Sequence, residues 1–290
     1  MSSIAISATD LRDRRARSIK RYAVRILIYT AIIVMCAWAV FPVFWMVSIS
    51  LRQPIDTFNP SVWIFTPTLV NYVAVFVEQD FLRFLINSVI VAVFATIVAM
   101  TVGTLAAYGF SRYKFKYSQV FLFILLFMRM IPSIAIVIPI FIIGRFMGVL
   151  DTRILLVVIY MIFNVPFTVW MMKGFFDEIP KEIEEAGMVD GCTSFQSLYM
   201  VILPIVKPGL VATAIFCVIS SWNEFIFSLL LTSRVAMTSP TIVGRFLSVV
   251  GVAWGEMSAV GTMAIIPVLI FAMIVQKNMI RGLSFGAVKG

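Results

Sequence analysis

Six long apolar stretches with few or no charges constrain this chain more than any other feature of its sequence. They are residues 26–48, 85–110, 119–144, 154–172, 209–232 and 257–276. A helix of about 20 apolar residues crosses a bilayer, and lipid tolerates only a backbone whose polar groups are satisfied internally. Composition agrees, because 61% of the 290 residues are hydrophobic and only 13% are charged, about half the charged fraction of a soluble domain. The pattern predicts an all-α polytopic membrane protein with six transmembrane helices.

A seventh apolar stretch, residues 62–77, is a weaker candidate for a span. Pro67 and Asn71 interrupt it, and a seventh span would move the C-terminus to the other side of the membrane. We interpret it as part of an external, lid-like segment.

The basic residues indicate the orientation of the six helices. Cytoplasmic loops are enriched in Lys and Arg, and 16 of the 23 basic residues fall in the segments on one side, six on the other, and one, Arg129, inside a span. The richer side includes both termini. We therefore predict a basic cytoplasmic N-terminus at residues 1–25, a transmembrane domain at 26–276 and a cytoplasmic tail at 277–290. The net charge of +9 then reflects this topology and contact with anionic lipid heads, and we expect no nucleic-acid partner.

Several kinds of chemistry lack the residues they need. The chain has no histidine, and its three cysteines lie far apart, which argues against His-based catalysis and the usual spacings of metal ligands. It also lacks the Gly-Lys-Ser or Gly-Lys-Thr of a P-loop and the GxGD, GxSG and HExxH motifs of intramembrane proteases. We expect no catalytic residue, no metal site and no cofactor bound by this chain.

The loop between the fourth and fifth predicted spans is unusually acidic. It holds six of the fourteen acidic residues of the chain. Pro180 suits the first position of a short helix, and Asp190-Gly191 indicates a turn. Thr193 and Gln196 then match a capping box at the start of a second helix, which we expect to stop before Pro204.

We name residues 177–204 the inner elbow. One interpretation is a solvated connector; the other is a knob that docks in a groove of a soluble partner, as amphipathic helices do. The apolar anchors for docking would be Ile183, Met188, Val189, Phe195, Leu198 and Tyr199. The spacing alone favours neither interpretation.

A longer pattern in the elbow favours docking. Glu185-Ala186-Gly187, three residues, Gly191, nine residues and Val201-Ile202-Leu203-Pro204 resemble the EAA loop of ABC-importer permeases, whose pattern is EAA, three residues, G, nine residues and I-x-L-P. Gly187 stands where that family usually has a second Ala, and Val201 stands in place of Ile. The glycine costs up to ~1 kcal/mol of helix stability relative to Ala.

Other segments are similar to one subfamily, the shorter permease subunit of carbohydrate importers of the maltose type. They are residues 67–72, Asn87-Ser88, Ile131-Pro132, Ile138-Pro139, Pro166-Phe167, Trp222-Asn223-Glu224-Phe225 and the tail at 282–290. The tail carries the strongest signal for the subfamily.

The resemblance implies a set of partners. A second permease subunit would complete the pathway in the bacterial inner membrane, two copies of a P-loop ATPase would hold ATP and Mg beneath it, and an external binding protein would deliver a sugar, meeting this chain at residues 233–255. The elbow would be the coupling helix between helices 4 and 5. Its residues implied to serve the ATPase contact are Glu185, Ala186, Gly187, Asp190, Gly191, Leu203 and Pro204, and the tail residues implied to reach the ATPase are Gly286, Lys289 and Gly290.

Polar residues inside the spans are candidates for the substrate path. Arg129 and Glu224 are the two charges inside predicted spans, and an unpaired charge at bilayer depth costs at least ~2.5 kcal/mol, so they either pair, face an aqueous cavity or snorkel to an interface. Asn87, Trp222 and Asn223 are further candidates for the path or gate, because sugars are held by hydrogen bonds and aromatic faces. For Asn87, hydrogen bonding between helices is the simpler alternative.

Asn164 and Tyr160 have simpler interpretations. Asn164 is expected to join helices by hydrogen bonds, although it is also a possible path residue. Tyr160 is expected to anchor its helix at a membrane interface.

Two other functions compete with a permease driven by a separate ATPase. An ion-coupled secondary transporter needs a relay of titratable groups or inverted repeats, and one intramembrane Glu with one Arg provides little material for a relay. An intramembrane enzyme lacks its usual motifs. The sequence therefore favours a non-catalytic permease subunit.

Overall fold

The chain is helical almost throughout in a computed structural model that describes residues 8–59, 61–248 and 251–284. Its helices are α1 (Ala8–Ser50), α2 (Val70–Val77), α3 (Phe81–Arg112), α4 (Ser118–Met130), α5 (Ser133–Phe146), α6 (Arg153–Asp177), α7 (Lys181–Val189), α8 (Ser194–Ser197), α9 (Leu203–Ile205), α10 (Lys207–Trp222), α11 (Ile226–Leu231) and α12 (Trp254–Ser284). Short 3-10 helices cover Pro54–Phe58 and Ser239–Phe246, a π-helical turn covers Leu198–Ile202, and one small hairpin pairs β1 (Leu247–Ser248) with β2 (Gly251–Val252). The all-α fold class is confirmed.

Four of the described helices are long and apolar enough to cross a membrane. They are α1 from Tyr22 onward, α3, α6 and the first 20 residues of α12. Two bent pairs pass the same test together: α4 with α5, bent by 92°, and residues 194–205 with α10, bent by 80°. The structure thus allows four to six crossings, and six stays a prediction.

The third and fifth predicted spans are each interrupted, so neither is one continuous helix, and whether they cross the membrane stays a prediction. α4 and α5 are separated by Ile131 and Pro132. Ile131 has an extended ψ of 125°, which the ring of a following proline favours. α10 and α11 are separated by residues 223–225.

The core is built around α3 and α6. A Cβ at Gly103 on α3 would lie 2.5 Å from the Cβ of Thr168 on α6, so a small residue lets the two helices approach closely, as in many membrane bundles. Buried apolar side chains form three clusters. One joins the elbow to the ends of α3 and α6, one lies under the outer segments, and the third lies between α3, α5, α6 and α11.

Helix α1 lies outside this core. Its side chains at residues 22–44 are all exposed, as suits a helix whose solvent is lipid. It meets α12 near its end, where the Sδ of Met46 lies 2.6 Å from the position of a Cβ on Gly261. α1 is therefore attached to the rest of the chain mainly at its C-terminal end.

The segment between α1 and α3 folds against the end of α1. On α2, Asn71 Nδ2 donates to the carbonyls of Ser50 at 2.9 Å and Arg52 at 2.7 Å. Arg52 is 1% exposed, and its guanidinium lies 5.0 Å from the ring centroid of Trp45 and 5.1 Å from that of Phe65. Because α2 has only eight residues, the structure agrees that this segment is not a seventh span.

Candidate functional site

The inner elbow folds as two short helical segments joined by a turn, as its turn signals predict. Gly191 has φ +95°, a left-handed conformation that glycine adopts without steric cost. The capping box is present, because the Gln196 N–H donates to Thr193 Oγ1 at 3.3 Å and the Thr193 N–H donates to Gln196 Oε1 at 2.9 Å. Pro180 is the N-cap of α7, one position before the predicted one. Local sequence rules therefore define both sides of the turn.

The prediction that the second helix stops before Pro204 is wrong. After α8 the chain forms the π turn, and α9 then carries Pro204 at its start. Because the π turn ends at Ile202, Pro204 is at the start of the next helical segment, α9. The first residues of a helical segment do not need to donate an intrahelical hydrogen bond, so the missing N–H of Pro204 costs little there.

The predicted coupling residues divide into exposed and buried positions. Glu185, Ala186 and Asp190 are exposed, as is Pro204, whereas Leu203 is half-buried. Gly187 is buried: a Cβ there would lie 3.2 Å from Ser197 Oγ and 3.4 Å from Val201 Cγ2. The glycine that replaces the usual Ala thus lets α7 lie close to the second helical segment.

The elbow also exposes apolar side chains on its surface. Val189 is 87% exposed, and Phe195 and Tyr199 are exposed by more than half. Leu198 is 2% exposed and belongs to the core cluster under the elbow, so its prediction as a docking anchor is wrong. A surface with exposed apolar groups on a charged element is a candidate interface.

A buried carboxylate, which the sequence did not single out, attaches the elbow to α3. Glu184 Oε2 lies 2.7 Å from Arg112 Nε, and the two side chains are 9% and 7% exposed. The Tyr108 hydroxyl donates to the other oxygen, Oε1. Arg112 Nη2 also donates to the Ile179 carbonyl at 3.2 Å. The sequence offers one signal for this contact: Glu184 and Glu185 are adjacent on a helix, and adjacent side chains point in different directions.

Arg129 and Glu224, the two charges inside predicted spans, line one cavity of about 190 Å³. Its lining residues are Arg129, Ser133, Tyr160, Phe163, Asn164, Ser220, Ser221, Glu224 and Phe227. The carboxylate of Glu224 accepts the N–H groups of Ile226 at 3.2 Å and Phe227 at 3.1 Å. It therefore caps the start of α11 rather than pairing with Arg129.

Arg129 has weak partners within the described part of the chain. Its Nη1 donates to the Phe163 carbonyl at 3.4 Å, and its guanidinium lies 4.6 Å from the ring centroid of Phe167. The ion pairs found among the described residues are Arg112–Glu184 and Lys173–Asp177. Of the alternatives for Arg129 and Glu224, the structure supports the one in which both face a cavity.

Tyr160 and Asn164 belong to the same cavity. Asn164 Nδ2 donates to Ser221 Oγ at 2.8 Å, so it both joins α6 to α10 and lines the cavity. Tyr160 is 3% exposed, and its prediction as an interfacial anchor is wrong. Among the described residues its hydroxyl makes no hydrogen bond of ordinary geometry, although it interacts with the Glu224 carboxylate.

The other predicted path residues lie elsewhere. Asn87 Nδ2 donates to the carbonyls of Val235 at 2.9 Å and Met237 at 2.8 Å. Its Oδ1 accepts from Arg153 Nε at 2.7 Å. Asn87 therefore links α3 to the segment after α11, residues 233–246, which we name the outer loop. Trp222 lines a separate, apolar cavity of about 180 Å³, and Asn223 is exposed at the break after α10.

A single aspartate holds the outer loop that follows α11. Asp151 has φ +57°, and its carboxylate accepts the backbone N–H groups of residues 233–236 at 2.9–3.2 Å and the Ser233 hydroxyl at 3.2 Å. Burial raises the pKa of Asp151, but the four N–H donors lower it more, so the pKa lies below its ordinary value. One ionised side chain thus binds four consecutive backbone N–H groups of the loop, which Asn87 also contacts.

The tail residues Gly286, Lys289 and Gly290 lie outside the described residues. Within the described ranges, no group of three or more His, Cys, Asp or Glu side chains is arranged to hold a metal ion.

Comparison with known proteins identifies the family. Residues 99–285 match the model of the binding-protein-dependent transport system inner membrane component. The chain is 35% identical over 250 residues to the probable ABC transporter permease y4oR of Sinorhizobium fredii, covering 86% of this chain and 90% of the relative. It is 33% identical over 270 residues to the trehalose/maltose transport system permease MalG of Thermococcus litoralis, covering 92% and 97%.

A solved structure shares the fold. A chain of a bacterial ABC transporter involved in the import of the acidic polysaccharide alginate matches with a TM-score of 0.70 at 22% identity, over 95% of this chain and 99% of the other. The two chains therefore share one fold. The chain belongs to the family of binding-protein-dependent transport system inner membrane components and is a permease subunit of an ABC importer.

Proposed function

We propose that this chain forms half of the pathway for a sugar or sugar-like solute and couples it to a separate ATPase through the inner elbow. The observation that carries the proposal is an elbow with two faces. Glu184 fixes one face to α3, while Glu185 and the apolar Val189 and Phe195 are exposed on the other. An element that is fixed to the bundle and presents a free surface is suited to receive force from a partner.

The elbow has a direct mechanical connection to the membrane helices. It follows α6 and leads into α10, which both line the cavity. A nearly rigid movement of the elbow would therefore tilt the cavity walls, as in other domain movements. In this proposal Glu185 pairs with a basic group of the ATPase, and ATP and Mg are held by that partner.

The cavity is the proposed solute path. Tyr160, Asn164, Ser220 and Ser221 offer hydroxyl and amide groups, and Phe163 and Phe227 offer apolar faces, the combination expected of a sugar site. The trehalose/maltose relative supports carbohydrate as the solute class. The topology of the proposal keeps residues 1–25 and 277–290 in the cytoplasm and residues 233–255 on the side of the binding protein.

Purification in mild detergent followed by reconstitution tests the proposal. A P-loop ATPase and a second polytopic subunit should copurify, and trehalose or maltose should stimulate ATP hydrolysis. The double variant Glu185→Ala with Gly191→Ala should lower uptake by about tenfold or more. Glu182→Ala, also exposed on α7, is the matched control and should leave uptake unchanged.

Two results would overturn this proposal. Uptake into vesicles that lack any ATPase would support an ion-coupled secondary transporter instead. Full uptake by the double variant would remove the elbow from the mechanism.

The solute path has a separate test. Tyr160→Phe removes one hydroxyl from the cavity and should raise the KM for sugar while leaving maximal ATP hydrolysis nearly constant. Tyr117→Phe, at an exposed position before α4, is the control. An unchanged KM in Tyr160→Phe would exclude the hydroxyl from solute binding.

A further inference from the structure

We propose that Glu184 is a positioning residue that makes α7 and the inner end of α3 move as one body, so that α3 receives the movement of the elbow together with α6 and α10. This inference rests on the proposed function and adds a third helix to the path of coupling. It concerns Glu184 and not the neighbouring Glu185, which is exposed.

The contact uses both oxygens of the carboxylate. Oε2 pairs with Arg112 Nε, and Oε1 accepts from the Tyr108 hydroxyl. Tyr108 and Arg112 are four residues apart on α3, so they lie on the same face one turn from each other. A carboxylate held at two points cannot rotate about either bond alone. The geometry therefore fixes the orientation of α7 as well as its distance from α3.

Neighbouring bonds extend the same rigid unit. Arg112 also holds the Ile179 carbonyl just before α7, and the Ser197 hydroxyl donates to the Glu184 carbonyl at 3.3 Å. Glu184 thus lies between α3 and the second helical segment of the elbow. The first segment, α7, cannot shift relative to α3 without breaking at least one of these bonds.

Because the Arg112–Glu184 ion pair is buried, the loss of either partner costs more free energy than it does in a surface ion pair. The side chains of Arg112 and Glu184 are almost completely covered, where an ion pair that loses one partner leaves a charge without water. The other close ion pair of the region, Lys173–Asp177, lies on a single helix and is partly exposed. It meets α3 through an exposed hydrogen bond from Ser111 Oγ to Asp177 Oδ1 at 2.6 Å, whereas the Glu184 cluster is a buried ionic link between the elbow and α3.

α3 is a useful receiver of this movement. It forms the central pair of the bundle with α6, and its other end holds the outer loop through Asn87 and through Ser88, whose Oγ lies 2.9 Å from the Oγ of Ser239. A displacement of the inner end of α3 would therefore also move the core residues that pack along this helix. Through α3 the elbow has a continuous connection to the outer loop.

The test compares Glu184→Gln with Glu182→Gln in the complete reconstituted complex. Glu184→Gln keeps the size of the side chain and removes its charge, whereas Glu182 is exposed on the same helix. We expect Glu184→Gln to retain the ATPase subunit and its basal hydrolysis but to lower the solute transported per ATP by about fivefold or more. Glu182→Gln should match the parent protein.

A distance measurement separates positioning from direct docking. Spin labels at Lys181→Cys, exposed on α7, and Lys116→Cys just beyond α3, in a background with the three native cysteines replaced by serine, report the separation of the two elements. The parent should give one narrow distance distribution, and Glu184→Gln a broad one. A narrow distribution in Glu184→Gln together with loss of the ATPase subunit would assign Glu184 to docking and overturn the proposal.

Tyr108→Phe, alone and combined with Glu184→Gln, distinguishes the proposed role from a folding defect. Tyr108→Phe removes one hydrogen bond and leaves the ion pair, and should lower the transport per ATP less than Glu184→Gln does. In the double variant the two losses should be less than additive, because both act on one cluster. Fully additive losses, or parental transport per ATP in Glu184→Gln, would overturn the proposal. If the parent complex itself shows no sugar-stimulated hydrolysis, the proposed function fails, whereas the label distances still test the link between α3 and α7.

Discussion

Removal of the Asp151 carboxylate should release the outer loop without disturbing the membrane helices. Four backbone N–H groups of residues 233–236 and one hydroxyl converge on this side chain. Asp151→Asn keeps one acceptor oxygen and tolerates the left-handed backbone, since Asn is favoured there. Asp151→Ala removes every acceptor. The two variants therefore give a graded loss of the same contact.

The expected size follows from the number of donors. A hydrogen bond to a charged group contributes about 1.5–3 kcal/mol, and donors that share one carboxylate do not add fully. We expect the free energy of loop opening to fall by about 1.5 kcal/mol in Asp151→Asn and about 3 kcal/mol in Asp151→Ala. Since 1.4 kcal/mol is a factor of ten, amide exchange in residues 233–236 should become about 10-fold and about 100-fold faster.

Hydrogen–deuterium exchange read by mass spectrometry is the assay. Peptides that cover residues 232–238 should respond, while peptides from the inner elbow should not. Asp80 is the matched control position, because it also has a left-handed backbone, with φ +53°, and its side chain makes no capping hydrogen bond. Asp80→Asn and Asp80→Ala should leave the outer loop protected. Parental exchange in both Asp151 variants would refute the reasoning.

The same contact predicts a pH dependence. The pKa of Asp151 is lowered in the folded protein from an ordinary value near 3.8. A group with a lowered pKa stabilises the fold above its unfolded pKa and loses that contribution as the pH falls through the folded pKa. Loop protection, corrected for the intrinsic exchange rate, should stay constant from neutral pH to about pH 4 and decline only below it. A decline that begins above pH 5 would contradict the assignment.

Three further substitutions test local parts of the fold. Gly191→Ala should destabilise the elbow by about 1–2 kcal/mol, because a residue with a side chain is strained at φ +95°. The loss should appear as faster amide exchange in residues 186–193. Gly174→Ala is the control, because Gly174 lies within α6 with open space at its Cβ position, and it should not show this loss. Thr193→Ala should cost about 1 kcal/mol through the lost cap, and Thr193→Ser should restore most of it in the same assay. Arg52→Lys should lower the thermal unfolding midpoint more than Arg52→Met does. Lysine keeps a buried charge but has no planar group to cover the two aromatic rings. A lower midpoint in Arg52→Met than in Arg52→Lys would contradict the proposed contact between the guanidinium and the rings.

The features that the sequence predicts well depend on short-range rules. The apolar stretches, the turn at Gly191 and the capping box of Thr193 and Gln196 each involve residues a few positions apart, so their physics is contained in the local sequence. The resemblance of the elbow to the EAA loop is also a local pattern, and it predicted the family. The exposed position of Glu185 is consistent with the role that the resemblance implied for it.

The features that the sequence missed depend on contacts between distant segments. Glu184 meets α3 residues more than 70 positions away, and Asn87 meets the outer loop about 150 positions away. Nothing next to Tyr160 in the chain indicates that it would face Glu224. Leu198 looked like a docking anchor because an apolar residue on a short helix has the same pattern whether it faces a partner or its own core.

The two interrupted spans have a consequence for hydration. Residues 131–132 and 223–225 lie inside the third and fifth predicted spans and put backbone carbonyl and amide groups outside regular helices, and lipid does not accept such groups unless they have partners. Ser133 and Arg129 lie near the first interruption, Glu224 lies within the second and Phe227 lies just after it, and all four border the same cavity. We therefore expect water in this cavity even when no solute is present, because its lining is polar. A wet chamber in the middle of a membrane would leak ions if it were open at both ends, so closure of one end before the other opens is a requirement that these breaks impose on the transporter.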